Sequence, residues 1–426
     1  MQLKIHRGAK EIGGSCLEIS TDKAKLLFDF GLPLVNDDGS SFNFKNITKS
    51  SCEELIEQGI LPDIKGLYSD EDCAISAIFI SHAHPDHFGL LKYINPMIKV
   101  YLSEVSYSII KEISPILYDT SYELNNFELL KSNQTVQIED ILIKPHTMDH
   151  SIPSSYAFEI TADNKKVLYT GDFRVHGRTA YNLNKLVDNV KDSIDYLILE
   201  GTTIGRDKID NLTEKDIEDK LINTFKSEKL NIVVFSAQNL DRFISVYKAC
   251  LHTKKTLVID PYTAFTLEKF KSLGKNIPQF DWNNIKVYFS SNSITRKLAQ
   301  SEDLYKYKSQ KISIDEILSS SKDYAVKHNH KISTKILEKA NIDDIQVIYS
   351  LWSGYLENEG DFWNPHKDKL LHIHTSGHAY PQDLKNFVTA INPTTIIPIH
   401  TSFPESYREM FGENTLIVED KELLKL

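Results

Sequence analysis

Seven residues, Ser81-His-Ala-His-Pro-Asp-His87, restrict what this chain can become more than any other stretch. They follow an apolar run, Ala77-Ile78-Phe79-Ile80, that reads as a strand, and they lead into Phe88–Tyr93, which reads as the start of a helix. His82, His84, Asp86 and His87 therefore form H-x-H-x-D-H where a strand would simply end. Imidazole nitrogens and carboxylate oxygens are the donors that zinc and similar divalent ions take. Along an extended segment residues i and i+2 point the same way, so His82 and His84 can grip one ion together. Asp86 and His87, where the chain turns into a helix, can reach a second ion beside it.

Two ions need more ligands than these. Histidines at 146, 150, 176, 252, 328, 330, 366, 372, 374, 378 and 400 are available. The best carboxylate is Asp172 in Tyr169-Thr-Gly-Asp-Phe-Arg174, directly after an apolar strand and beside a glycine. One carboxylate can give an oxygen to each of two ions, the arrangement that serves two-metal hydrolysis.

At 426 residues the chain exceeds what one core serves, so two lobes are expected. Short strands fill the first part: Leu3–His6, Ser15–Ile19, Lys25–Asp29 and, further on, Lys166–Tyr169 and Tyr196–Leu199. Residues 33–75 are long and polar, with a short helix at Ser51–Gln58. After Glu200 the texture changes. The strand Ile232–Phe235 precedes a helix at Asp241–Cys250, Thr256–Ile259 precedes one at Ala264–Leu273, and Lys286–Phe289 precedes one at Thr295–Leu304. Such strand–helix repeats imply a parallel sheet. Gln346–Ser350, Lys369–Ile373, a helix at Pro381–Ala390 and the strand Thr395–Ile399 close the chain. The pattern is an outer domain (1–203 and 346–426) interrupted by an inserted one (204–345).

Charge changes at the same boundaries. Residues 201–345 hold 24 Lys+Arg against 19 Asp+Glu, and the remainder 25 against 40, for a net charge of −10. That total argues against a general nucleic-acid binder, while the mildly basic insert could face a polyanion. No apolar stretch approaches the ~20 residues of a membrane span. The opening MQLKIHRGAK lacks a signal core, and the four cysteines lack CxxC or disulfide-framework spacing. A cytoplasmic protein without a membrane partner is the expectation.

Together, HAHPDH, the His146-Thr-Met-Asp-His-Ser-Ile-Pro153 segment, the aspartate of Thr170-Gly-Asp172 and a histidine closing a late strand resemble the metallo-β-lactamase fold. The resemblance implies an αββα sandwich. It makes Asp29, in Leu27-Phe-Asp-Phe-Gly31, a structural residue steadying the metal loop. His82, His84 and His150 would hold one ion, Asp86, His87 and His400 the other, with Asp172 bridging. His146 competes with His150, and the Ser-Ile-Pro that follows favours the latter.

The later motifs are similar to the β-CASP nuclease branch, closest to ribonuclease J. Tyr196-Leu-Ile-Leu-Glu-Gly-Thr-Thr203 ends a strand with an acid, the α/β insertion follows, and then come His372-Ile-His-Thr-Ser-Gly-His-Ala379 and Ile396-Ile-Pro-Ile-His-Thr401. The resemblance implies an α/β insertion of the β-CASP kind and catalytic roles for Asp86, Glu200 and His378. It implies two zinc ions, with manganese as the alternative, and RNA or another single-stranded nucleic acid as substrate. His378, oriented by Glu200, would donate a proton or contact a phosphate. Ser376, Gly377 and the amides entering the Pro381 helix could cradle a phosphate. Ser236 with Arg242 resembles the insert's phosphate-side loop, or is an ordinary helix cap with a surface arginine. Trp352, Tyr355, Phe362 and Trp363 either stack bases or pack internally.

Two departures stand out. Glu200 precedes Gly-Thr-Thr where Ser-Thr is commoner, and 26 residues follow His400, so the extra C-terminal domain of ribonuclease J is not expected and a homodimer stays open. The rival readings are a hydrolase of a small lactone, thioester or nucleotide and, last, a non-catalytic scaffold. Small-substrate members do without the insert and the Glu200/His378 pair, and scaffolds lose ligands.

Overall fold

A computed structural model of the chain describes residues 1–36, 39–44, 47–69, 73–118, 120–206, 211–300, 304–357 and 360–426. They form two compact units. The first comprises Met1–Val175, Thr179–Ile209 and Gly377–Leu426, and the second His176–Arg178 and Asp210–Ser376. No helix among the described residues is long and apolar enough to cross a membrane.

Two sheets make the first unit. In one, β1 (Gln2–Arg7), β2 (Cys16–Ser20), β3 (Lys25–Phe28), β4 (Ala77–Phe79), β5 (Val100–Leu102) and β6 (Phe127–Leu129) lie in chain order. The other runs in spatial order β19 (Thr395–Ile399), β11 (Tyr196–Glu200), β10 (Lys165–Tyr169), β9 (Ser155–Ala162), β8 (Ile141–Met148) and β7 (Val136–Ile138). The last strand, β20 (Leu423–Lys425), returns to pair with β1. Alternation along the strands builds the core: Leu26 and Phe28 of β3 join Phe79, Phe158, Ile160, Tyr169 and Ile397 in the interior shared by both sheets. Phe28 meets Phe79 at 5.3 Å and Phe158 of the facing sheet at 5.4 Å.

The outer face of the second sheet is equally apolar. Leu168, Leu197 and Leu199 pack on Leu186 and Val190 of the helix Tyr181–Val190 and on Leu384, Phe387 and Ile391 of the helix Pro381–Ile391. On the first sheet Leu27, Ile78 and Leu102 are buried as well, as are Leu55, Val105 and Ile113 of the helical segments between its strands. Helices flank a two-sheet sandwich, the αββα architecture.

The helix expected at Phe88–Tyr93 begins earlier. It spans Pro85–Phe88, with a separate 3-10 turn at Leu91–Tyr93. Pro85 explains the shift, because its fixed φ and missing N–H suit a first helical position. Asp86 and His87 thus sit inside the turn.

The second unit is a parallel seven-stranded sheet in the order β15 (Lys311–Ile312), β14 (Ile285–Tyr288), β13 (Thr256–Ile259), β16 (Tyr324–Lys327), β12 (Leu230–Val234), β17 (Ile345–Tyr349) and β18 (Leu371–His372). The return to the outer domain, expected at 346, comes later. β17 pairs with β12 over five residues and β18 pairs with β17, so the unit continues to Ser376. The helix expected at Thr295–Leu304 spans Ser293–Gln300, and 301–303 lie outside the described residues. Trp363 is buried against Val234, Val347 and Tyr349, whereas Trp352 and Tyr355 are exposed.

Candidate metal centre

Every residue expected to hold metal lies in the first unit, at one end of its two sheets. The Ser81–His87 loop leaves β4 and is braced from below by Asp29-Phe-Gly31. Phe30 N–H donates to the His87 carbonyl at 2.7 Å and Leu32 N–H to that of Pro85 at 2.9 Å. The approach is so close that a Cβ on Gly31 would stand 1.6 Å from the Asp86 carbonyl oxygen. Only glycine fits there.

Asp29 is buried and adopts a positive φ of 60°, a conformation that aspartate tolerates better than most residues. Its Oδ1 accepts Ser81 N–H at 2.7 Å. Its Oδ2 accepts the Ser81 hydroxyl at 2.7 Å, Tyr169 Oη–H at 2.7 Å and His87 Nδ1–H at 2.8 Å. Proton accounting then fixes the His82 tautomer. Ser81 spends its single proton on Asp29, so its Oγ accepts Nδ1–H of His82 at 3.0 Å. His82 presents a bare Nε2 to the centre, whereas Asp172, Asp29 and Asp86 outweigh burial and raise His87 well above the usual histidine range.

Three imidazoles converge on the first donor set. His84 Nδ1 lies 3.0 Å from His82 Nε2 and 3.1 Å from His150 Nε2. Burial, with the neighbouring imidazoles adding to it, holds His82 and His150 well below the usual histidine range, and burial pulls His84 down to about 4. These are neutral rings, the form a metal needs. In the second set His87 Nε2 lies 3.1 Å from Asp172 Oδ2, and His400 Nε2 lies 3.2 Å from Asp86 Oδ2. Burial opposes ionisation of Asp86, but His87 and His400 outweigh it and hold the carboxyl at about 2. His400 itself sits at a positive φ of 52°, and strain of this kind concentrates at functional sites.

The donor atoms form three overlapping groups: His82, His84, His150 and Asp172; Asp86, His87, Asp172 and His400; and Asp172, Glu200, His378 and His400. Within each, the atoms lie within 4.8 Å of one another. Asp172 belongs to all three. Its buried Oδ1 has no hydrogen-bond partner among the described residues, an expense that a cation would remove. Neutral imidazoles in the first set and an ionised carboxylate among the histidines of the second, with this orphaned oxygen between them, fit two adjoining divalent ions.

Glu200 closes β11 and is buried. Its Oε1 accepts Phe173 N–H at 3.0 Å, its Oε2 accepts Thr202 N–H at 3.1 Å, and His378 Nδ1 lies 3.2 Å from both oxygens. The remaining nitrogen of His378 points away from Glu200, on a side chain 20 % exposed. Thr202, in the unusual Gly-Thr-Thr, reaches His400 Nδ1 with its hydroxyl at 2.8 Å. Gly377 lets the His378 segment approach the His150 loop, since a Cβ there would stand 2.9 Å from Ser151 Oγ.

Other expectations come out differently. His146 is apart from the cluster, its Nε2 3.0 Å from Glu159 Oε2. Arg242 is fully buried. It gives Nε–H and Nη2–H to Glu214 at 3.2 and 3.0 Å and Nη1–H to the carbonyl of Ser350 at 2.9 Å, so its fork is committed inside the second unit and offers no face to a phosphate. Ser236 is exposed and accepts Gln238 N–H at 3.2 Å, as a turn serine does. The Ser376 carbonyl accepts from His176 Nε2 at 2.8 Å. At the Pro381 helix, Asp383 takes the Tyr380 amide at 3.1 Å, so the chain's own carboxylate caps the turn expected to cradle a phosphate.

Sequence reasoning missed Asp149 and Arg174. Arg174 N–H donates to the Asp149 carbonyl at 2.7 Å, their side chains meet at 3.5 Å, and both are buried. The pair ties the loop of His150 to the loop of Asp172. A charged residue flanking a ligand on each loop was the available signal.

Comparison with known proteins places these motifs. Residues 65–221 match the family described as beta-lactamase superfamily domain, and residues 367–413 the Zn-dependent metallo-hydrolase RNA specificity domain. Ribonuclease J of Mycoplasma genitalium is 22% identical over 93% of this chain and 67% of its own length. An RNase J-like protein of Methanocaldococcus jannaschii is 24% identical over 67% of this chain and 63% of its own. The chain thus spans about two thirds of these relatives. A crystal structure of a protein of unknown function from Enterococcus faecalis superposes with a TM-score of 0.78 at 21% identity, over 100% of this chain and 99% of the other.

Proposed function

We propose that this chain, a metal-dependent hydrolase of metallo-β-lactamase fold in the β-CASP branch, cleaves RNA phosphodiester bonds at a two-metal centre. The observation that carries the proposal is Asp172 shared among two four-donor sets and the Glu200–His378 pair. The similarity to ribonuclease J and to the RNA specificity domain supports RNA as the polymer.

In this reading His82, His84 and His150 hold one ion, Asp86, His87 and His400 the other, and Asp172 serves both. Zinc, or manganese in its place, would stabilise charge on the phosphoryl oxygens and lower the pKa of a water enough to make it a nucleophile. The chain's own groups do the rest. Asp29, Ser81 and Thr202 fix the rings of His87, His82 and His400. Glu200 accepts from His378 Nδ1–H and orients the ring, so that its other nitrogen handles a proton at the leaving oxygen. The four free cysteines suit the reducing cytoplasm as the place of action.

The test is a cleavage assay of zinc- and manganese-loaded protein on end-labelled RNA, beside an Asp86→Ala/His87→Ala variant. The expected result is cleavage by the wild type that disappears in the variant. Two bound ions without cleavage of any RNA would sink the proposal and turn attention to small esters.

A further inference from the structure

Four large aromatic residues lie between β17 and β18, and the structure divides them. Trp363 is buried in the core of the second unit, and Phe362 packs on it and on the rings of His328 and His330. Trp352 and Tyr355 are instead 44 % and 58 % exposed. Two large rings side by side in water forgo the burial that holds Trp363.

The turn that carries them is held at both ends. The carbonyl of Leu351, just before Trp352, accepts His372 Nε2–H at 2.9 Å, and the His372 ring stacks on that of Tyr349 in β17. At the far end the Leu356 carbonyl accepts the Asn364 side-chain amide at 2.8 Å. Between these ties runs the single helical turn Ser353–Leu356, closed by Tyr355 N–H on the Trp352 carbonyl at 3.1 Å. The indole lies across Gly354, where a Cβ would stand 2.3 Å from its Cη2. Tyr355 meets the indole edge-on, with ring centroids 5.3 Å apart and planes at 85°. One side of the indole is thus seated on backbone, and Tyr355 braces it in a favoured aromatic geometry.

Such a seat suits a flat ligand. Every nucleobase has a π-face, so stacking on an aromatic side chain binds a single strand whatever its sequence. Rings already held in place lose little further freedom on binding. Two rings fall far short of the roughly 20–30 residues a side that a stable protein interface takes, whereas one or two bases need no more. Residues 201–345, most of the second unit, carry 24 Lys+Arg against 19 Asp+Glu, a charge that suits the phosphates of a strand. We infer that Trp352 and Tyr355 form a stacking platform for unpaired bases of the RNA strand. The choice of RNA rests on the function proposed above.

The test is fluorescence anisotropy of a labelled hexa-adenylate, its phosphorothioate links resistant to hydrolysis, titrated with the full-length holoprotein. The same hexamer made abasic throughout is the comparison. Contacts to the sugar–phosphate chain, those at the metal centre included, are common to both strands and cancel. Wild type should bind the base-bearing strand about tenfold or more tighter than the abasic one. Trp352→Ala, and Gly354→Ala whose Cβ displaces the indole, should remove most of that contrast, while Trp352→Phe should keep most of it. Each variant is checked by thermal melting. Should Trp352→Ala fail to fold, Tyr355→Ala decides, with a contrast reduced by about threefold or more. A contrast equal in wild type and folded variants overturns the platform. So does a dimer by light scattering that Trp352→Ala dissociates without any base contrast, since the rings would then meet a second copy. Cleavage of ordinary RNA measured alongside separates the two readings. Cleavage by wild type without the contrast removes the platform alone, and the contrast without cleavage removes the cleavage reading alone.

Discussion

His146 and His150 lie four residues apart on one segment and have opposite surroundings. His146 Nε2 bonds Glu159 Oε2 at 3.0 Å on the body of the sheet, while His150 Nε2 stands 3.1 Å from His84 Nδ1 among bare imidazoles. Their alanine variants should therefore diverge. His150→Ala is expected to lower metal affinity by about tenfold or more, whereas His146→Ala should keep the metal and lose stability only. Bound metal measured by elemental analysis, with the melting temperature, checks both. Equal metal loss from the two would contradict the assignment.

The His146–Glu159 contact sets a pH dependence. The hydrogen bond from His146, with its charge and those of Lys166 and Lys144, holds Glu159 below the usual carboxylate range against its burial. A depressed folded pKa means that the unfolded chain binds the proton more readily. The stabilisation is thus full above the ordinary glutamate range and is lost as pH falls through the folded value. The stability difference between wild type and Glu159→Gln, read from urea unfolding, should shrink steadily below about pH 4. A difference unchanged there would remove the coupling.

Asp149 and Arg174 offer a harder perturbation. Asp149→Ala removes the carboxylate that Arg174 Nε faces at 3.5 Å in the interior, and should cost about 1–3 kcal/mol. Because the pair ties the His150 loop to the Asp172 loop, metal affinity should fall as well. Urea unfolding combined with a chelator competition tests this. Lost stability at unchanged metal affinity would show that the pair holds the fold but does not align the ligands.

The uneven legibility of the sequence has a physical origin. His82, His84, Asp86 and His87 could be read because period-two geometry and a strand end are local properties. Alternation likewise marked most strands, since each buries one face independently of its partners. The order of strands is not local. β16 slips between β13 and β12, and β17 joins the same sheet, through pairings as distant in sequence as Thr256 with Tyr324 and Leu230 with Ile345. The sequence leaves Arg242 as either a phosphate-side or a surface arginine, because nothing near it announces that Glu214 and Ser350 will enclose its guanidinium. The family resemblance supplied His150 over His146, where spacing alone left both open.

Glu200 and His378 supply the last prediction. Two near-equal distances of 3.2 Å let Glu200 orient the ring whichever oxygen it uses. His378→Gln keeps a polar group but removes a transferable proton, so kcat on RNA should fall by about 10²–10⁴ with both ions retained. Glu200→Gln should fall less, because the amide oxygen still reaches His378 Nδ1 but holds the ring less firmly than the carboxylate. Bound metal is measured on the same samples. Were the activity of His378→Gln lost in step with its metal, the histidine would be holding the ion instead of moving the proton.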